Sequence, residues 1–198
     1  MFTGIIEEKG TIKDRQLVSE QAMLITIEAS QILDDMQMGD SIAVNGICLT
    51  VTAFSETYFQ VDIMPETLKT ASLKLLTEGS SVNLERSMPA NGRFGGHFVS
   101  GHADGSGTIT RKETRENAVN VAVDVPDELA VYLIEKGSVA VDGVSLTVFG
   151  ISGRTMTLSL IPHTVSATVL GDKQKGDPVT IECDILAKYM KNMLSEQH

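Results

Sequence analysis

Cys48 and Ser145 hold the same place in two stretches that otherwise match almost letter for letter: Ser41-Ile42-Ala43-Val44-Asn45-Gly46-Ile47-Cys48-Leu49-Thr50-Val51 and Ser138-Val139-Ala140-Val141-Asp142-Gly143-Val144-Ser145-Leu146-Thr147-Val148. A thiol and a hydroxyl are nucleophiles of different strength. Other differences stand around them at the same offset of 97 residues: Ile5 is answered by His102, Gly39 by Lys136, Glu66 by His163 and Ser87 by Asp184. Histidine titrates near neutrality and is the commonest general base. Lysine and aspartate can polarise a group or relay a proton, and a thiol attacks well when a nearby cation lowers its pKa. Each residue also has an ordinary structural role. His102 follows Gly101 in a turn, Lys136 precedes Gly137, Asp184 can cap a helix, and Cys48 suits a crowded strand. As a set they describe two similar molecules held in two similar sites and then treated differently, with a base for one and an electrophilic partner for the other.

The repeat that carries these positions runs through nearly the whole chain without a gap. Gly4, Gly10, Thr11 and Ile12 return as Gly101, Gly107, Thr108 and Ile109, and Pro65, Thr67, Gly79, Val82 and Glu85 return as Pro162, Thr164, Gly176, Val179 and Glu182. The period is too long for a solenoid, and each copy is long enough for its own core. The division expected is 1–97 for one domain, 98–183 for its duplicate and 184–198 for a tail.

Asn45-Gly46 and Asp142-Gly143 are the pairs that a two-residue type I′ turn requires, since both central residues sit at positive φ. They predict a hairpin in each copy, with Ser41 opposite Thr50 and Ala43 opposite Cys48. Alternation along a strand then puts Ile42, Val44, Ile47, Leu49 and Val51 on one face, which must be the core. Ser41, Ala43, Cys48 and Thr50 face outward, as do Lys136, Ser138, Ala140, Ser145 and Thr147 in the second copy. Such a face leaves room for a flat ligand outside the domain, covered by another domain.

Further strands are expected at residues 5–12, 23–29, 58–64 and 81–85, with a helical turn at 31–36 and a helix start at Pro65. Six short strands per copy predict a small antiparallel barrel or sandwich. Residues 86–96, with Pro89, Asn91-Gly92 and Gly95-Gly96, read as a linker. In the tail, Ile185, Leu186, Tyr189, Met190, Met193 and Leu194 fall on one face of a helix, which is expected to bury that face against another subunit. Phe2 is either a core plug or a ring that stacks on a ligand.

Composition narrows the function. The 198 residues carry a net charge of -10 with no basic cluster, which argues against nucleic acid or an anionic membrane surface as partner. The N-terminus lacks a signal-peptide pattern and no apolar run reaches membrane-spanning length, so a cytoplasmic chain with two free thiols is expected. The two cysteines and four histidines show no zinc spacing. His97 and His102, five residues apart, are a weak metal signal.

Six segments in order resemble one family: Met1-Phe2-Thr3-Gly4-Ile5-Ile6, Val44-Asn45-Gly46-Ile47-Cys48-Leu49-Thr50, Met64-Pro65-Glu66-Thr67, Gly95-Gly96-His97-Phe98-Val99-Ser100-Gly101-His102, Val141-Asp142-Gly143-Val144-Ser145-Leu146-Thr147 and Ile161-Pro162-His163-Thr164. They look like riboflavin synthase of the alpha-chain type. The resemblance implies an all-β fold, two tandem six-stranded Greek-key barrels with a C-terminal α-helix, assembled as a homotrimer. It implies conversion of two molecules of 6,7-dimethyl-8-ribityllumazine into riboflavin and a ribitylaminopyrimidinedione by transfer of a four-carbon unit, without metal or redox cofactor. Association with lumazine synthase is a further partner it raises.

Carried over residue by residue, Ser41, Cys48, His102, Lys136, Ser145 and Asp184 are the catalytic candidates. The first pocket is expected to use Gly4, Ile5, Ile6, Ser41, Cys48, Leu49, Thr50, Asp62, Ile63, Met64, Pro65, Glu66 and Thr67, and Phe2 is a further substrate-binding candidate. The second is expected to use Gly101, His102, Ala103, Lys136, Ser145, Leu146, Thr147, Leu160, Ile161, Pro162, His163, Thr164 and Val165. Each site is expected between barrels of neighbouring subunits. A non-catalytic lumazine- or flavin-binding antenna protein and a plain structural module are the rival readings.

Overall fold

In the computed structural model, which describes residues 1–19, 22–64 and 75–195, the chain forms two closed six-stranded antiparallel barrels and a terminal helix. The first comprises β1 (Glu8–Ser19), β2 (Ala22–Glu28), β3 (Ser41–Val44), β4 (Ile47–Phe54), β5 (Tyr58–Ile63) and β6 (Ser81–Arg86), in the order β1-β2-β5-β4-β3-β6. The second comprises β7 (Gly105–Arg115), β8 (Ala118–Asp124), β9 (Ser138–Val141), β10 (Val144–Ser152), β11 (Thr155–Leu160) and β12 (Pro178–Cys183), and closes in the equivalent Greek-key order. Closure leaves neither sheet an open edge. Short helices α1 (Asp127–Ala130) and α2 (Pro162–Ala167) flank the second barrel, and α3 (Ile185–Ser195) ends it.

The hairpins have the expected register, Ser41 with Thr50 and Ala43 with Cys48, then Ser138 with Thr147 and Ala140 with Ser145. Their turns have positive φ at Asn45, Gly46, Asp142 and Gly143. The five inward residues of each hairpin all lie in that barrel's core. Pro162 opens α2 as its first residue, where its fixed φ suits the helix and its missing N–H costs nothing. The helix start expected at Pro65 lies outside the described residues.

One strand differs most from expectation. β1 begins at Glu8, not residue 5, and runs on to Ser19. Its outer half pairs with β2 through polar residues such as Asp14 and Gln16, so hydrophobic alternation could not reveal it. Gly10 is paired in the strand with Val82. A Cβ there would come 2.5 Å from the Leu84 side chain, so glycine serves close packing.

The barrels meet at their hairpin tips. Asn45 is buried and exchanges bonds with β6: its N–H donates to the Asn83 carbonyl at 2.9 Å, and its Oδ1 accepts from the Asn83 N–H at 2.8 Å. Asp142 does the same with Thr180 at 2.9 and 2.7 Å. The buried Asn83 amide crosses over, donating to the Asp142 carbonyl and accepting from the Val169 N–H. A small third core of Phe2, Ala43, Val99 and Ala140 seals the junction.

At the centre, a Cβ on Gly46 would lie 2.6 Å from the Gly143 nitrogen, and one on Gly143 would lie 2.7 Å from the Gly46 nitrogen. Gly79 shares the left-handed conformation, with φ +83, but faces open space. Gly79→Ala should therefore cost about 1–2 kcal/mol for backbone strain alone. Gly46→Ala should cost a further ~1–3 kcal/mol for the clash. Urea melts of the two variants check this, and equal losses would remove the contact between turns as a source of stability.

Candidate active site

The outward face of each hairpin is graded. Ala43 and Ala140, nearest the tips, are buried by Phe2 and Val99. Cys48 and Ser145 are half-buried, and Thr50 and Thr147 are exposed. A ligand on this face can reach the Thr end and the middle, while the tip end is occupied by protein.

What borders the middle corrects the expected grouping. The segment leading into each barrel lies against the other barrel's hairpin. The Gly4 carbonyl accepts from the Ser145 N–H at 2.8 Å, and the Gly101 carbonyl accepts from the Cys48 N–H at 2.8 Å. Phe2 and Val99 pair with each other between them. Ile6 packs on the second core and Ala103 on the first. Gly4, Ile5 and Ile6 therefore belong with Ser145, Leu146 and Thr147, whereas Gly101, His102 and Ala103 belong with Cys48, Leu49 and Thr50. The reason is steric. Gly4 and Gly101 have φ near +80°, and a Cβ on either would sit 2.6 Å from the side chain it passes. Phe2 is fully buried among Ala43, Val99 and Ala140, as a core plug is.

The second site contains a residue that repeat comparison missed. His97 Nδ1 is 2.7 Å from Ser145 Oγ. Its Nε2 is buried and has no hydrogen-bond partner. Burial holds the imidazole below its ordinary pKa, and the charge of Asp184 pulls the other way. His97 thus stands within hydrogen-bond distance of one candidate, Ser145, and feels the charge of another, Asp184. Comparing the copies passes over His97 because it lies ahead of the aligned repeat, whose first match is Gly4 with Gly101. Its place beside Gly96 was the available signal: a Cβ on Gly96 would strike Thr3 and Ser145.

Asp184 also has a structural role: its Oδ1 accepts from the Leu186 N–H at 2.9 Å, which is a helix cap. The other candidates separate. Lys136 has φ +63 and holds its Nζ 4.5 Å from the Phe149 ring centroid. Phe149 follows Ser145 and Thr147 by the strand period, so the lysine stands at the far end of that face. Ser41 lines a cavity of about 460 Å³ with Ile5, Asp40, Glu85, Arg86 and Arg93. His102, Asp62, Met64, Ile161, Pro162 and His163 are exposed, Thr164 and Val165 half-exposed, and Ile63 and Leu160 turned into the cores. Pro65, Glu66 and Thr67 lie outside the described residues.

Both cysteines are free, with Cys183 buried in the second core. Burial, and then the nearby Asp104, push the Cys183 thiol up to about 12, so it is an inert core residue. Among the described residues no three His, Cys, Asp or Glu side chains converge as a metal-binding group.

The sequence profile of the lumazine binding domain matches twice, over residues 3–87 and 100–184. Riboflavin synthase of Bacillus subtilis is 57% identical over 194 residues, covering 98% of this chain and 90% of that one. The chain belongs to the riboflavin synthase family. The enzymes of the same name from Actinobacillus pleuropneumoniae and Schizosaccharomyces pombe are 49% and 40% identical, each over 98% of this chain and over 90% and 94% of theirs. Among solved structures, LumP complexed with riboflavin superposes with a TM-score of 0.86 at 26% identity, covering 92% of this chain and 99% of that one. LumP complexed with 6,7-dimethyl-8-ribityllumazine gives 0.83 at 26% identity, over 92% and 98% of the two chains.

The depressed basicity of His97 has a consequence for stability. The folded state favours its neutral form, so the stability it contributes is present above the unfolded value of 6.5 and is lost as pH falls through the lower folded value. His97→Asn cannot titrate. Its urea midpoint should be lower than wild type at pH 8 and should fall less between pH 6.5 and 5. Parallel slopes would show that His97 is not held neutral.

Proposed function

We infer that this chain is a riboflavin synthase, a transferase that converts two molecules of 6,7-dimethyl-8-ribityllumazine into riboflavin and 5-amino-6-ribitylaminopyrimidinedione. One lumazine gives up the four carbons that the other gains, so the reaction balances without an external oxidant. The observation that carries the reading is the duplicated seat with unlike chemistry, Cys48 with His102 and Ser145 with His97, in a chain related over nearly its whole length to enzymes of this name. The antenna alternative is favoured by the LumP likeness, but at 26% identity against 40–57% it is the more distant relationship.

The exchanged segments support a division of labour. His102 shares a seat with Cys48 and is the group that assists loss of the acidic C7 methyl proton of the lumazine bound there. The nucleophile that adds to the second lumazine is then water or the Ser145 hydroxyl, with His97 Nδ1 accepting the proton. The carbanion attacks, and eliminations release the transferred carbons. Lys136 supplies positive charge at the end of the second seat. The exposed hydroxyls of Thr50 and Thr147 are suited to the ribityl chain. Much of the rate comes from holding the two rings face to face.

Facing seats require a neighbouring subunit, and the reading includes a cytoplasmic homotrimer. Support comes from α3. Lys188 bonds both Asp104 oxygens at 2.8 Å, and Lys191 lies over the Tyr132 ring. The helix is thus tied to its own barrel through polar contacts while Leu186, Tyr189, Met190, Met193 and Leu194 are each more than half exposed. An apolar stripe of this kind marks an interaction surface.

Purified protein mixed with the lumazine should yield riboflavin absorbance at one product per two substrates consumed. His102→Gln should lower kcat by about 10²-fold, in the range of a lost general base. Binding without turnover would favour the antenna reading, and an unimpaired His102→Gln would remove the base. Tyr189→Glu with Met193→Glu should convert the oligomer to monomer in light scattering and abolish most turnover. A fully active monomer would overturn the shared site.

A further inference from the structure

We propose that Glu182 is a positioning residue for catalysis, acting through the Ser100–Gly101 turn to place His102 against Cys48. The carboxylate is buried on β12. Its Oε1 accepts from the Ser100 N–H at 2.6 Å and the Ser100 hydroxyl at 2.7 Å, and its Oε2 accepts from the Gly101 N–H at 2.9 Å. The same Ser100 Oγ accepts from the His102 N–H at 3.2 Å. Gly101 then delivers its carbonyl to the Cys48 N–H. An unbroken relay therefore runs from the carboxylate through two residues to the histidine and to the strand beside it. A carboxylate can receive all three donors at once, because it is acceptor-only.

The first copy contains the same device. Glu85 accepts from the Thr3 N–H, the Thr3 hydroxyl and the Gly4 N–H at 2.7, 2.8 and 3.0 Å. Thr3 Oγ1 accepts from the Ile5 N–H at 3.3 Å, and Gly4 accepts from Ser145. Burial raises the Glu85 pKa while its Thr3 and Gly4 donors lower it, so the donors are what make a charged form tolerable there. The two latches match in burial, partners and geometry. They differ in what they carry: Glu85 carries Ile5, which does not titrate, and Glu182 carries His102. Each latch is thus the structural control for the other.

The inference rests on His102 touching substrate. Glutamine keeps the shape of Glu182 but turns one acceptor into a donor, so one of the three incoming N–H or O–H groups must move away. A shift of a fraction of an ångström in a reacting group costs on the order of 10-fold or more in rate. Glu182→Gln should therefore lower kcat by about 10-fold or more with KM changed less than ~3-fold. Glu85→Gln, which moves Ile5, should act mainly on KM. In double-variant cycles, Glu182→Gln should add less than ~2-fold to the loss already produced by His102→Gln, whereas Glu85→Gln should multiply with it. If Glu182→Gln does not fold, Ser100→Ala interrupts the same relay and enters the same cycle. Equal kcat losses in the two glutamine variants, or full multiplication of Glu182→Gln or Ser100→Ala with His102→Gln, would overturn the positioning role. Wild-type turnover by His102→Gln alone would instead show that the catalytic reading of His102 fails, and the positioning role with it.

Discussion

The structure depends on one exchange. Each barrel anchors its own leading segment with a buried glutamate on its last strand, and that segment gives its next carbonyl to the sister barrel's hairpin. A carboxylate withdrawn from water is costly unless its lone pairs are filled. Three short donors at each site fill most of them, and the need for those donors fixes the path of the segment. The path in turn requires glycine at Gly4 and Gly101, where the backbone turns left-handed and passes within contact of the neighbouring strand. Electrostatic satisfaction and steric clearance thus select one crossing.

That crossing makes the candidate seats composite. Neither hairpin face is bordered by residues of its own copy alone: Cys48 meets Gly101, and Ser145 meets Gly4 and His97. Chemical asymmetry enters through the borders more than through the floors. The floors differ by a thiol against a hydroxyl, while the borders differ by an imidazole against an aliphatic side chain and by a second, half-buried imidazole, His97. Two seats built on one pattern can in this way hold the same ring system and treat it differently.

Much of this was legible from the residues. The Asn-Gly and Asp-Gly pairs set the turns, the turns set the register, and alternation then assigned all ten core residues of the two hairpins. Local stereochemistry dominates there, and local stereochemistry is written in short motifs. The exchange was not legible, because a 97-residue offset relates equivalent positions and says nothing about which copy they contact. Gly4 through Ile6 were therefore grouped with the wrong hairpin. The outer half of β1 escaped because it is held by a partner strand and not by apolar alternation. His97 escaped because comparing copies finds differences between aligned positions, and His97 has no aligned position. Phe2 could be read two ways, and its enclosure among Ala43, Val99 and Ala140 is that of a core plug.

The touching turns at Gly46 and Gly143 bear on how such a chain can change over time. Most duplicated segments are free to drift apart once one of them keeps the original task. Here a heavier letter at either turn obstructs both, so the spelling of each copy is policed by the other across the molecule's central axis. Ile5 and His102, by contrast, are exposed, so a new chemical role can be tried there without disturbing the join.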